Sequence, residues 1–286
     1  MAIGMLSRSV PPGGQPGNAS GGSIWGKSNR KGAVAALLPD GRLHLQHGPI
    51  DIVAQAFGDP AAVRKGYARA AARFATMLGA LAAELPALRG VDAPLHGRIA
   101  QRMAAAVAPF RPSFVTPMAA VAGAVAEEVL RDLIGPGITR AYANNGGDIA
   151  LWLASGESLT CALAVTGGMD TVTIHAADPV RGIATSGWRG RSFSLGIADA
   201  VTVLARTAAM ADAAATMIAN AVNLDHPGIR RQPAHEVQCD SDLGHRLVTR
   251  AVPRLSAAER AQALTDRKST RLNSSHVSQS RMPSSA

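Results

Sequence analysis

At residues 142–152 the sequence reads Tyr-Ala-Asn-Asn-Gly-Gly-Asp-Ile-Ala-Leu-Trp. Alternating apolar residues flank a central Asn-Asn-Gly-Gly, which is a strong short-range signal for a β-hairpin. Glycine adopts positive φ and lets a ligand approach the bare backbone, so a phosphate or a ribose can lie against such a turn. Asp148 would then reach a ribose hydroxyl. A tight turn that binds nothing explains the same pattern, so the surrounding sequence has to distinguish the two.

The residues before this hairpin predict strands followed by helices. A first hairpin turns at Asp40-Gly41, and residues 50–55 form a third strand. Asp59 and Pro60 supply an N-cap and a first-turn proline for a long helix that ends before Pro86. A further helix follows at residues 95–107.

The helix that leads into the central hairpin is predicted at residues 117–134, with Thr116 as its N-cap. Alanine and glycine occupy most of residues 119–126, so this part of the helix surface is almost without side chains. Such a surface allows another backbone to pack closely, and it equally allows a flat ligand to bind. Both interpretations stay open from the sequence.

The residues after the hairpin predict short strands joined by turns, then one strong helix. The strands are expected at residues 159–165, 171–176, 182–187 and 200–204, and the helix at 208–222. An extended loop at 225–242, a closing strand at 246–252 and a short helix at 256–264 complete the chain. The fold class is therefore α+β, with antiparallel sheets backed by helices.

Two further groups of polar residues are candidates for ligand contact. Thr185-Ser186-Gly187 ends a strand with two hydroxyls and small side chains, and Arg189-Gly190-Arg191 lies directly beside it. Asp212 and Thr216 are one helical turn apart, so their hard oxygens point the same way and can form a corner of a Mg²⁺ site. Ordinary polar positions on a helix are the alternative.

Composition and charge limit the classes of partner. The formal net charge is +9, of which residues 1–32 contribute +4 and residues 266–286 contribute +3, leaving +2 for residues 33–265. Nucleic acid is therefore not the predicted partner. No apolar run of about 18 residues occurs and no secretory signal is present, so no membrane association is predicted. Two cysteines without metal or redox spacing favour a cytoplasmic protein.

The composition divides the 286 residues into two terminal segments and one long central segment. Residues 1–32 are rich in Gly, Pro and Ser, which predicts a disordered or wrongly assigned N-terminal extension. Residues 266–286 resemble one reading frame of a sequencing adapter, which predicts a disordered artefact. Residues 33–265 are predicted to form a single α+β domain.

The order of these landmarks is similar to that of the ApbE-like superfamily. Its best-known members are flavin transferases, which use FAD and Mg²⁺ to attach FMN to a protein threonine. The shared landmarks are a helix before Gly-Gly-Asp, then Thr-Ser-Gly, then Ala211-Asp212-Ala-Ala-Ala-Thr216. The segment at residues 114–123 resembles more specifically the uncharacterised branch of that superfamily. The resemblance covers residues 33–265.

By this resemblance, the architecture is T-fold-type, with two similar halves, and the ligand is a flavin or another nucleotide-like small molecule. The implied cofactors are FAD or FMN with Mg²⁺. Asp212 and Thr216 match the metal-binding residues of the transferases. The residues expected to contact the cofactor are Asn144, Asn145, Gly146, Gly147, Asp148, Thr185, Ser186 and Gly187. No catalytic residue and no oligomeric state is assigned.

The chain also departs from the transferases. They follow Thr-Ser-Gly with a His-Ile-x-Asp-Pro-x-Thr-Gly loop, whereas residues 186–201 contain no histidine. They carry Lys-Gly where this chain has Ala122-Gly123. Loss of an acid–base group costs about a hundredfold or more in rate. The sequence therefore argues against FMN transfer and leaves two hypotheses: an enzyme that acts on a flavin or nucleotide, or a non-catalytic ligand-binding or accessory protein that keeps the fold.

Overall fold

The structure, a computed structural model, describes residues 2–3, 32–165, 168–265 and 277–281. The first strands are β1 (Ala2–Ile3), β2 (Val34–Leu37), β3 (Leu43–His47), β4 (Ile50–Gly58), β5 (Ile138–Asn145), β6 (Asp148–Leu153) and β7 (Ser158–Val165). The later strands are β8 (Gly168–His175), β9 (Gly182–Ser186), β10 (Ala200–Ala205), β11 (Arg230–Pro233), β12 (Leu247–Ala251) and β13 (Val277–Arg281). The helices are α1 (Pro60–Ala83), α2 (Leu85–Leu88), α3 (Arg98–Val107), α4 (Val121–Leu133), α5 (Ala208–Ala221), α6 (Ala234–Val237) and α7 (Ala257–Thr265).

The strands form one large sheet and two small ones. The large sheet has eight strands in the order β13-β10-β9-β6-β5-β4-β3-β2, and each of its pairings is antiparallel. Helices α1, α4 and α5 cover one face of it. The sheet β1-β7-β8 contributes Leu159, Cys161 and Ile174 to a second apolar cluster with residues of β5, β6 and β9. The predicted α+β class, with antiparallel sheets backed by helices, is confirmed.

Helix α1 begins where its sequence signal placed it. The carboxylate of Asp59 accepts a hydrogen bond from the N–H of Ala62 at 2.8 Å, and Pro60 occupies the first turn, where its missing N–H costs nothing. Pro86 lies in the first turn of α2 for the same reason. The two helices are therefore separated at Glu84, one residue before the predicted end of the long helix.

Several predicted boundaries are wrong. Helix α4 begins at Val121 instead of residue 117, after a 3-10 turn at Pro117–Ala120, and Thr116 makes no capping hydrogen bond with its side chain. Strand β8 begins at Gly168 instead of residue 171.

Two further differences have a local cause. The helix predicted at 95–107 begins only at Arg98, because the carboxylate of Glu84 accepts the N–H groups of His96 and Gly97 and holds them outside the helix. The loop predicted at 225–242 contains β11 and α6, and β11 pairs with β12. Strand β11 reads Arg-Arg-Gln-Pro, which has no apolar alternation to reveal it.

Most of the two terminal segments lies outside the described part of the chain. Residues 1–32 and 266–286 lie outside the described residues except for β1, Gly32 and β13, so the expected disorder there stays a prediction. Among the helices that the structure describes, none is long and apolar enough to cross a bilayer.

The bare surface of α4 is used for close packing. A Cβ added at Gly123 would lie 2.3 Å from the carbonyl oxygen of Ala208, the first residue of α5. A Cβ added at Gly182 of β9 would lie 2.3 Å from the backbone nitrogen of the same residue. The start of α5 is therefore held between α4 and the sheet, with a glycine on each side. Of the two interpretations of this helix surface, backbone packing is the one that the structure shows.

We expect Gly123→Ala to lower the free energy of unfolding by about 2–3 kcal/mol, because the new methyl group meets backbone that cannot rotate away. Gly79→Ala is the matched control, since Gly79 lies in the exposed part of α1 with open space around it. It should raise the same free energy by about 0.5–1 kcal/mol. Urea denaturation measures both variants. Equal stability of Gly123→Ala and wild type would contradict the packing described.

Candidate functional site

The central hairpin has the predicted geometry. Strand β5 ends at Asn145 and β6 begins at Asp148, so the loop is the two residues Gly146 and Gly147. Both have positive φ, +65° and +118°, as a two-residue hairpin turn requires. The side-chain oxygen of Asn144 accepts the N–H of Gly147 at 2.9 Å, which holds the turn closed.

The hairpin is fastened to the first turn of α4. The buried side chain of Asn145 donates a hydrogen bond to the carbonyl of Ala122 at 3.1 Å. The carboxylate of Asp212, on α5, accepts the N–H of Gly123 at 3.0 Å and is also hydrogen-bonded by the backbone of Ala122. These N–H groups belong to the start of a helix and have no partner within it. The first turn of α4 therefore joins the hairpin to α5.

Strand β9 connects the remaining predicted residues. The N–H of Thr185 donates to the carboxylate of Asp148 at 3.3 Å. The hydroxyl of Thr216, on α5, donates to that of Ser186 at 3.5 Å. Gly187 has a packing role, since a Cβ there would lie 2.2 Å from the carbonyl oxygen of Asp199. The residues predicted from sequence thus meet where α4, α5, β9 and the hairpin converge.

The two carboxyl groups of this site influence each other. Burial raises the pKa of Asp212 well above its ordinary value, and the neighbouring carboxylate of Asp148 raises it further. Burial likewise raises the pKa of Asp148 to about 7, against the N–H of Thr185 and the charge of Arg191, which lower it. Near neutral pH the pair therefore carries less than its full negative charge.

This pairing of Asp148 with Asp212 is the feature that sequence analysis missed. The predicted role of Asp148 was to reach a ribose hydroxyl, and nothing in the local pattern indicated a second carboxyl group beside it. The two residues are 64 positions apart and come near each other because α5 packs against β9 and β6. Together with the hydroxyls of Ser186 and Thr216, they give four hard oxygen-bearing groups from three elements.

These groups fit a divalent cation of the Mg²⁺ type. Mg²⁺ prefers oxygen ligands, and it is commonly held by one or two carboxylates with water or substrate oxygens in the other positions. Two carboxyl groups that are costly to ionise side by side gain most from a cation between them. The described part of the chain contains no group of three or more His, Cys, Asp or Glu residues placed for a metal, so two carboxyls are the most that this site offers.

In the transferases a histidine loop follows Thr-Ser-Gly. In this chain the segment at that position has no histidine and is held in place by hydrogen bonds. Trp188 and Arg189 both donate to one carboxylate oxygen of the buried Asp199, at 2.9 and 2.8 Å. Farther along, the side-chain oxygen of Asn220 on α5 accepts the N–H of Leu195 at 2.8 Å. The polar side of α5 therefore holds this segment against the site.

Comparison with known proteins identifies the family. The family model described as AbpE bacteria matches residues 35–280. The chain belongs to this family. Membership of the AbpE family supports the resemblance to ApbE-like proteins that the order of the motifs predicted.

Several archaeal proteins are similar to part of this AbpE family member. The UPF0280 protein of Methanococcoides burtonii is 34% identical over 121 residues, which are 40% of this chain and 49% of the relative. That of Methanothrix thermoacetophila is 39% identical over 117 residues, 39% and 48% of the two chains. That of Methanopyrus kandleri is 37% identical over 145 residues, 50% and 56%. The chain thus spans about half the length of the curated relatives it matches.

The raised pKa values of the two carboxyl groups predict how stability depends on pH. Between about pH 4, where an unfolded Asp titrates, and about pH 7, the folded chain holds more protons than the unfolded one. The contribution of the pair to the free energy of unfolding is therefore largest at low pH and is lost as the pH rises through this range. Asp148→Asn removes one charge, so it should raise the free energy of unfolding at pH 8 by on the order of 1–3 kcal/mol.

Urea denaturation at several pH values between 5 and 8 measures this effect. The profile of Asp148→Asn should be flatter than that of wild type. Asp225→Asn, at an exposed position, is the control and should leave the profile unchanged. A variant Asp148→Asn that is less stable than wild type by the same amount at every pH would show that the pair does not carry the expected strain.

Proposed function

We propose that this chain binds a flavin or another nucleotide-like ligand together with Mg²⁺, in the site where the glycine hairpin faces Asp212 and Thr216. The observation that carries the proposal is the proximity of Asp148 and Asp212. Folding has placed these two buried carboxyl groups where their negative charges repel each other. A protein keeps such an arrangement at a cost in stability, and a bound cation offsets that cost. Family membership supports the class of ligand.

The hairpin offers a surface for the organic part of the ligand. A Cβ added at Gly147 would meet no atom within 4 Å, so the bare backbone of the turn faces open space. Thr185 is exposed and Ser186 half-exposed beside it. A ribose or phosphate lying on this turn can reach the backbone and the hydroxyl of Ser186. The hydroxyl of Thr185 lies on the other face of the strand, where it is hydrogen-bonded to that of Thr202 at 2.8 Å. Asn144 and Asn145 shape the wall by bonding to the backbone.

The architecture that we propose is T-fold-type, with two similar halves. Its support is that α4 packs on β5 and β6 while α5 packs on β9 and β10, so that each half of the large sheet has a long helix of its own. The candidate site then lies where the two halves meet.

When bound, Mg²⁺ would supply positive charge beside the ligand, with Asp212 and Thr216 as its holders and Asp148 as the further carboxyl group. We propose that the site does not carry out FMN transfer in the manner of the transferases. In support, residues 186–201 contain no histidine, and the acid Asp199 in this segment is engaged by Trp188 and Arg189. The alternative function, a non-catalytic ligand-binding or accessory protein, is favoured by the same observation.

Isothermal titration calorimetry of the full chain with Mg²⁺ and with FAD, alone and together at pH 8, tests the proposal. Wild type should bind FAD at least tenfold more tightly when Mg²⁺ is present. Asp212→Asn keeps an acceptor for the N–H of Gly123 but lacks the charge, so it should lose this dependence. Asp225→Asn should behave as wild type. If the affinity for FAD changed neither with Mg²⁺ nor in Asp212→Asn, the proposed cation would be contradicted. Absence of any flavin or nucleotide binding would contradict the proposed ligand.

Chromatography of FAD incubated with the full chain and Mg²⁺ separates the two functions. We expect no release of AMP and no covalently attached FMN, because the general acid–base group of the transferase loop is missing. Release of AMP dependent on Asp212 would instead establish catalysis at this site.

A further inference from the structure

We propose that Arg191 is the residue that recognises a phosphate group of the ligand in this site. The inference rests on the proposed function and deepens it, because it names the anionic group of the ligand and the side of the site that this group faces.

The guanidinium of Arg191 lies against the hairpin turn at Gly146 and Gly147, which is called the glycine corner below. A Cβ added at Gly146 would lie 2.8 Å from Nη2 and 3.1 Å from Cζ of Arg191. Gly146 also has a φ of +65°, which side chains other than glycine rarely adopt. The turn therefore brings its bare backbone directly against the charged end of an arginine, and both line the same space as Asp148.

Arg191 is available for a ligand, in contrast to its neighbour Arg189. Arg189 is paired with Asp199 at 2.8 Å. Arg191 is exposed, and within the described ranges neither a hydrogen bond nor an ion pair within 4 Å engages its guanidinium. Two arginines only two positions apart thus have different roles, since one anchors the segment and the other is presented at the site.

The segment that carries Arg191 is fixed on both sides. Before it, the side chains of Trp188 and Arg189 bond to the buried carboxylate of Asp199. After it, Asn220 binds both the hydroxyl of Ser194, at 3.2 Å, and the N–H of Leu195. These anchors, one directly before β10 and one on α5, hold the backbone that carries Arg191 beside the hairpin before any ligand arrives, which reduces the entropic cost of binding.

The charges around the corner favour an anion as its occupant. Arg191 is near enough to Asp148 for its charge to lower the pKa of that carboxyl group, although no ion pair within 4 Å joins the two among the described residues. With a divalent cation on the two carboxyl groups, the guanidinium leaves one positive charge in excess. A phosphate can neutralise that charge by bonding to the guanidinium through two oxygens, which is the geometry that arginine offers and lysine does not.

Calorimetric titration of the full chain tests the inference with three probes in the presence of Mg²⁺: inorganic pyrophosphate, FAD, and riboflavin, which has no phosphate. Arg191→Ala should weaken the binding of pyrophosphate and FAD at least tenfold and change the affinity for riboflavin less than twofold. Arg191→Lys should give intermediate affinities for the first two probes, because it keeps the charge and loses the paired donors.

Arg206→Ala is the matched control. Arg206 is also exposed, and it follows the end of β10 opposite to the end where that strand pairs with Ser186. Its loss removes one positive charge from the far end of the same strand and should leave all three affinities unchanged. At pH 5, where the carboxyl group of Asp148 is protonated and gains nothing from the charge of Arg191, the thermal unfolding midpoint of Arg191→Ala should match that of wild type.

The outcomes separate this inference from the function on which it rests. If wild type binds FAD and Arg191→Ala binds it equally well, the role of Arg191 is overturned and the proposed function stands. If pyrophosphate binding depends on Arg191 but no flavin binds, the phosphate site stands and the flavin proposal fails. An equal loss of riboflavin binding in Arg191→Ala would overturn phosphate recognition, and failure of all three probes to bind wild type would overturn both.

Discussion

The structure depends on one close contact, in which the backbones of α4 and α5 touch at Gly123 and Ala208. At this distance, each helix can satisfy the free N–H groups at the start of the other. Asp212 of α5 accepts the N–H of Gly123, and Glu127 of α4 accepts the N–H of Ala209 at 2.7 Å. Such reciprocal capping requires both the glycine and the two acids, and it fixes where the carboxylate of Asp212 lies.

The candidate site follows from that contact. The same turn of α4 that donates to Asp212 also accepts a hydrogen bond from the side chain of Asn145. The position of the hairpin relative to α5 is therefore fixed. Asp148 follows Asn145 after two glycines, and it comes near enough to Asp212 for its charge to raise the pKa of that carboxyl group. The cost appears in the raised pKa values of both carboxyl groups. In this account, the strain at the site results from the packing, and the cation that we propose would relieve it.

Local features of the structure could be predicted from the sequence because their causes are local. The hairpin at Gly146 and Gly147 needs positive φ, and the start of α1 needs an acceptor at Asp59, so short motifs are sufficient evidence for both. Strand β11 escaped prediction because three polar residues and a proline, in a small two-stranded sheet, carry no periodic signal. The resemblance to ApbE-like proteins named Asp148 and Asp212 separately, whereas their proximity depends on tertiary packing that no pattern of neighbouring residues encodes.

The position of Arg191 is a similar case. The sequence places an arginine near Thr-Ser-Gly, but only the fold brings its guanidinium against Gly146, because Asp199, directly before β10, and Asn220 of α5 hold the segment around it. Long-range anchors of this kind decide which charged residues face a site and which only support it.

A double-mutant cycle on Asp148 and Asp212 tests the central claim most directly. The free energy of unfolding would be measured at pH 8, without metal, for wild type, Asp148→Asn, Asp212→Asn and the double variant. If the two carboxyl groups face each other, either single substitution relieves their repulsion, so the double variant should gain less than the sum of the singles by about 1 kcal/mol or more. Additivity within about 0.5 kcal/mol would mean that the carboxyl groups act independently, and it would contradict the shared site.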